Sequence, residues 1–113
     1  MHELGIAQSI FTSVLEEARA HGGGRVSRIG VRIGELSGVN ADALRFSFQV
    51  TVQGTELEQA ELDIEDVPLG FTCTNCGIDF PAVNYDPACP ACGSKDTRAV
   101  RGDELQISYL ELE

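Results

Sequence analysis

All four cysteines of the chain fall in two C-x-x-C pairs, Cys73/Cys76 and Cys89/Cys92, separated by the twelve residues Gly77 to Ala88. Four thiolates at this spacing surround one tetrahedral ion, at ~2.3 Å per sulfur for Zn2+, with each pair supplying one edge of the tetrahedron. A glycine follows each pair, Gly77 and Gly93. That position suits the positive φ of a tight turn around a metal, which glycine adopts without a Cβ penalty. Pro90 stiffens the second turn. The stretch between the pairs offers too few apolar groups for an independent core, and a lobe of about thirty residues normally needs a staple. Metal binding is therefore expected to be folding for this segment.

Two disulfides would need an oxidising compartment, and a single redox C-x-x-C would not need its duplicate. The same pattern resembles the iron-binding knuckles of rubredoxin, so iron is the competing metal. With all four positions filled by protein, none remains for substrate. The expected role of zinc here is structural.

The 113 residues carry 8 Lys and Arg against 18 Asp and Glu, a formal net charge of −10, with a pI near 4.5. That balance argues against a binder of nucleic acid or anionic membrane, both of which require a basic surface. Only Lys95, Arg98 and Arg101 cluster near the knuckles. No apolar run approaches the ~20 residues needed to span a bilayer. The N-terminus has an acid rather than a basic flank before its apolar residues, unlike a signal peptide, so a cytoplasmic location is expected. Only two histidines are present, and no Ser/His/Asp constellation marks a hydrolase.

Residues 5–20 read as an amphipathic helix, with Ile6, Ala7, Ile10, Phe11, Val14, Leu15 and Ala18 at three- and four-residue steps. It stops at His21 and the glycines 22–24, where His21 reads as a solvated residue near the negative end of the helix dipole. Residues 25–33 read as a strand, Ile29, Val31 and Ile33 opposite Arg28, Gly30 and Arg32. Residues 34–38 form a loop, and Asn40 is placed to cap a helix. Residues 41–52 fit two patterns. Phe46, Phe48, Val50 and Val52 alternate as in a strand, whereas Ala41, Leu44, Phe48 and Val52 share a helical face. Segments 61–67 and 105–112 read as further strands, making the cysteine lobe an insertion between two strands.

The chain begins Met1-His2-Glu3. A histidine at position 2 gathers the α-amine, its own backbone amide and its imidazole. If the amide deprotonates, these nitrogens close adjacent chelate rings in one plane, an arrangement that suits Ni(II) or Cu(II). Glu3 adds an oxygen nearby. The helix starting directly afterwards would anchor this tripeptide.

Met1-His2-Glu3-Leu4, the stretch from Arg32 to Val39 (RIGELSGV), Ala43-Leu44-Arg45-Phe46, the two knuckles and the late Gly102-Asp103-Glu104-Leu105 occur in one order. That order resembles the HypA family of hydrogenase maturation factors, nickel metallochaperones with a structural zinc site, over essentially the whole chain. The resemblance implies an α/β (α+β) fold with residues 41–52 helical. Two helices pack on a three-stranded sheet, and a zinc-ribbon or rubredoxin-like lobe is inserted before the last strand. It divides the chain into a nickel-binding lobe of 1–69 with 101–113 and a zinc lobe of 70–100. It implies nickel on His2 with Met1 and Glu3, and zinc on Cys73, Cys76, Cys89 and Cys92. The implied function is a nickel carrier rather than an enzyme. It would deliver Ni(II) to the apo large subunit of a [NiFe]-hydrogenase with a HypB-type GTPase as loading partner, and dimerisation is left open. Some members place an acid near nickel in the loop where this chain has Asn40, with Asp42 close by, so no ligand role is carried onto either. No histidine lies between the knuckles. A zinc-ribbon interaction or nucleic-acid module and a rubredoxin-like electron carrier are the alternatives.

Overall fold

A computed structural model describes residues 2–113 of the chain. The first element, α1 (Glu3–Ala20), buries Ala7, Ile10, Val14 and Ala18, the three- and four-residue spacing that turns one face of a helix inward. Its end is a Schellman motif: Gly23 N–H donates to Ala18 O (2.8 Å) and Gly22 N–H to Arg19 O (3.2 Å). Gly22 supplies the required left-handed conformation with φ +91°.

Strand β1 (Val26–Gly34) lies at the centre of a three-stranded sheet ordered β2-β1-β6, flanked by β2 (Glu61–Val67) and β6 (Leu105–Leu112). Arg25 and Glu113 exchange backbone hydrogen bonds of 3.4 and 2.7 Å, which makes β1 and β6 antiparallel. Ile29, Val31 and Ile33 are buried on one face of β1. On the opposite face Gly30 is covered by the Tyr109 ring. A Cβ at Gly30 would stand 2.0 Å from Tyr109 Cε2, so only glycine admits this packing. Arg28 reaches Glu61 (3.9 Å) and Glu111 (3.6 Å) across the strands, and Arg32 reaches Glu65 (3.5 Å).

Helix α2 (Ala41–Val52) begins at Asn40, whose Oδ1 accepts the Ala43 N–H at 2.9 Å, and packs against α1. It buries Leu44, Phe48 and Val52 and leaves Phe46 and Val50 exposed. A strand would have put Phe46, Phe48, Val50 and Val52 on one face, so the burial pattern is that of the helix.

The chain folds as two compact units. One takes the chain up to Arg32, Val39–Glu65 and Gln106–Glu113, and the other takes Ile33–Gly38 and Asp66–Leu105. The second unit holds its own three-stranded sheet, order β4-β3-β5, from β3 (Gly70–Cys73), β4 (Asp79–Pro81) and β5 (Thr97–Arg101). Both pairings are antiparallel, with Phe71 opposite Phe80 on one side and Ala99 on the other. Cys73, Phe80 and Cys89 form a buried cluster in it, with Phe71 and Ile78 packed on them.

Within that unit a short 3-10 turn, Glu35–Ser37, is fastened by backbone bonds from Gly34 N–H to Glu104 O (2.7 Å) and from Leu36 N–H to Gly102 O (2.6 Å). The Glu35 carboxylate accepts the Leu69 N–H at 2.8 Å. A Cβ on Gly34 would fall 2.2 Å from the Gly102 carbonyl carbon. The paired Gly-Glu-Leu and Gly-Asp-Glu stretches are thus one packed junction. Among the described residues, no helix is long and apolar enough to cross a membrane.

Candidate metal centre

The two knuckles are built alike. In the first, Gly77 N–H donates to Cys73 O (2.9 Å) and Cys73 N–H to Ile78 O (2.9 Å). In the second, Gly93 N–H donates to Cys89 O (2.8 Å) and Cys89 N–H to Ser94 O (2.8 Å). Gly77 and Gly93 have φ of +82° and +76°, the left-handed step that folds each loop back beneath its sulfurs. Cys73 and Cys89 are buried, while Cys76 and Cys92 reach the surface.

The loops bring all four sulfurs within 4.8 Å of one another. Cys73 Sγ stands 3.7 Å from Cys92 Sγ, and Cys76 Sγ 3.6 Å from Cys89 Sγ. Sulfurs bonded to a shared zinc at ~2.3 Å in a tetrahedron lie ~3.8 Å apart, whereas a disulfide requires ~2.05 Å. The donor set therefore fits a four-coordinate ion such as zinc, and all four thiols are free of disulfides. Among the described residues this is the group of three or more His, Cys, Asp or Glu placed to hold a metal.

Protonation within the cluster is uneven. The Asn75 side-chain amide lies 3.5 Å from Cys92 Sγ. That donor, with the Ser94 backbone N–H next, holds the Cys92 thiol down at about 6. At Cys76 the Ile78 N–H opposes the rise, but burial and the neighbouring thiols together push the group up to about 11. Crowded thiols resist ionising together, and a divalent cation among them removes that resistance. The Asn75 contact was not foreseen from sequence, because an asparagine inside a C-x-x-C loop is also an ordinary turn residue.

At the other predicted site, Met1 lies outside the described residues. His2 precedes α1 as its N-cap, exposed, with no capping bond from its side chain, and its carbonyl accepts the Ile6 N–H at 2.9 Å. Glu3 is buried (7% exposed), and its Oε2 accepts the Asn40 N–H at 3.0 Å. The start of α1 is thus tied to the start of α2, a link that the sequence does not announce because a backbone donor carries it. Asn40 spends its side-chain oxygen on the α2 cap. Asp42 sits exposed in the first turn of α2.

Comparison with known proteins agrees with this layout. A family model described as "Hydrogenase/urease nickel incorporation, metallochaperone, hypA" matches residues 1–112. The chain is 44% identical over its full length to "Hydrogenase maturation factor HypA" of Geobacter metallireducens, covering 100% of both. It is 46% identical to the protein of the same name from Roseiflexus sp., covering 100% of this chain and 93% of that one. The solution structure of the Ni metallochaperone HypA from Helicobacter pylori superposes with a TM-score of 0.69 at 26% identity, covering 99% of this chain and 97% of that one. A second solution structure of a HypA protein gives 0.75 at 26% identity, over 100% and 97%. These are metallochaperones and maturation factors rather than enzymes, and with the family model matching nearly end to end, the chain belongs to the HypA family of nickel-incorporation metallochaperones.

Proposed function

We propose that this chain carries Ni(II) at its amino terminus, on His2 with the Met1 amine and Glu3, and delivers it to the apo large subunit of a [NiFe]-hydrogenase in the cytoplasm. A HypB-type GTPase is the loading partner. The names of the relatives, hydrogenase maturation factors, favour hydrogenase over urease as recipient. The observation that carries this reading is the family match across 1–112 to nickel-incorporation metallochaperones, in a chain that opens Met-His-Glu.

The two metal sites suit different tasks. Cys73, Cys76, Cys89 and Cys92 would hold zinc as a closed cage that stabilises its unit, since no coordination position remains for exchange. His2 is exposed ahead of a fixed helix. Few ligands on a chain end can pass a metal on by stepwise replacement. The imidazole must be neutral to bind, so nickel uptake releases protons and weakens as pH falls.

Delivery is tested by mixing nickel-loaded protein with apo large subunit and the GTPase and measuring nickel incorporated into the subunit. Wild type should transfer its nickel and His2→Ala should transfer none. Equal transfer by both would remove His2 from the carrier site.

A further inference from the structure

Strand β6 is paired on one side only, with β1. Among the described residues its outer edge has no neighbouring strand, so alternate backbone N–H and C=O groups along Gln106–Leu112 are available to another chain. Such edges are usually short or heavily charged. β6 runs for eight residues with one charge, Glu111, among Leu105, Ile107, Tyr109, Leu110 and Leu112. Beside it an open cleft of about 520 Å3 lies between α1 and β6, lined by Val14, Ile107, Leu110 and Leu112, with Ser13 and Glu17 also on the α1 side. An unpaired edge and an apolar cleft together are what strand addition uses: main-chain bonds hold the guest, and a pocket receives alternate side chains.

We propose that the β6 edge and the α1–β6 cleft accept an extended, basic segment of a partner protein, added as a further strand to the sheet. Charge selects this occupant. Glu17 lines the cleft, and Glu111 and Glu113 lie on β6 and just past its end. The nearby arginines are already engaged, Arg25 with Glu113 at 2.6 Å and Arg28 with Glu111 at 3.6 Å and Glu61 at 3.9 Å. The chain as a whole carries a net charge of −10, so a second copy would approach against overall like-charge repulsion, whereas a lysine- or arginine-bearing strand is attracted. The proposal rests on the fold and charge of the α/β unit and does not depend on the nickel site.

The test is an NMR titration of the 15N-labelled full chain with a capped seven-residue peptide alternating lysine and valine. Glutamate–valine and backbone N-methylated versions of the peptide serve as controls. Amide shifts should concentrate on Gln106–Leu112 and Ser13–His21, and both controls should bind at least about tenfold more weakly. Glu17→Lys should weaken the lysine peptide about threefold or more, with less effect at high salt. Shifts scattered over the whole acidic surface, or equal binding of the N-methylated peptide, would overturn the proposal. So would concentration-dependent shifts at β6 without peptide, which would assign the edge to a second copy.

Discussion

Asn75 and Asn40 show what single residues do, one in each compact unit. Asn75 donates to Cys92 Sγ at 3.5 Å and holds that thiol at about 6. A depressed value means the thiolate persists to lower pH, so protons displace a bound metal only in more acid solution. Asn75→Ala should raise the Cys92 value and move acid-induced zinc release to higher pH, followed with a colorimetric zinc indicator. An unchanged release midpoint would show that the amide does not tune the thiolate. Asn40 was legible as a cap because an amide before a helical run accepts the exposed N–H groups of the first turn. Its second role, offering its own N–H to Glu3, depends on the approach of residues 37 positions apart, and local sequence carries no trace of it.

The elements were readable wherever burial followed one period. α1 and β1 do so, and the structure sets them at Glu3–Ala20 and Val26–Gly34, within two residues of the expected bounds. Segment 41–52 did not, because Phe46 and Val50 are exposed apolar residues that mimic strand alternation. The resemblance to a family, not periodicity, pointed to the helix that is found there. Strands β3, β4 and β5 escaped the sequence reading. They are three to five residues long, and the knuckle turns position them rather than any alternating pattern of their own. In β6 the alternation was visible but the partner was not. Tyr109 closes over Gly30 and donates from its hydroxyl to Asp63 at 2.5 Å. That hydrogen bond, then burial and the Asp63 charge, raises the Tyr109 value above the ordinary 10. A raised value favours the neutral phenol in the folded chain, so this contribution to stability is present at neutral pH and fades as pH climbs through the folded value. In a Tyr85→Phe background, absorbance at the tyrosinate band should titrate above 10, and adding Asp63→Asn should bring it back toward 10. A midpoint unmoved by Asp63→Asn would break the link between ring packing and hydrogen bond.

At the scale of the whole molecule, two compact units have different means of stability. The α/β unit buries Ile10, Val14, Leu44, Phe48, Ile29 and Val31, a core that needs no metal. The other unit buries Ile33, Val67 and Leu69 and, around the knuckles, the small cluster of Cys73, Phe80 and Cys89 with Phe71 and Ile78, a cluster with too little apolar mass to hold the knuckles without a staple. Removing zinc with a chelator should therefore collapse amide dispersion for the sheet β4-β3-β5 while the helical circular dichroism of α1 and α2 persists. Complete retention of that dispersion in the metal-free chain would show the cysteines to be dispensable for folding. The paired C-x-x-C motifs announced the cluster from sequence because its geometry is local to two short loops. The amino-terminal site is different: its ligands are predicted from one tripeptide, and half of their setting, the anchoring of α1 to Asn40, is tertiary.

The central claim, a nickel carrier whose cargo sits at the amino terminus, is tested most directly by calorimetric nickel titration of the zinc-loaded protein with its native N-terminus. His2→Ala and a version extended before Met1 are titrated beside it. The extension turns the α-amine into an amide and so removes a ligand without touching any side chain. The expected result is about one nickel per chain for the native protein, with most of that affinity lost in both variants. Equal binding by all three, or binding by none, would contradict the claim.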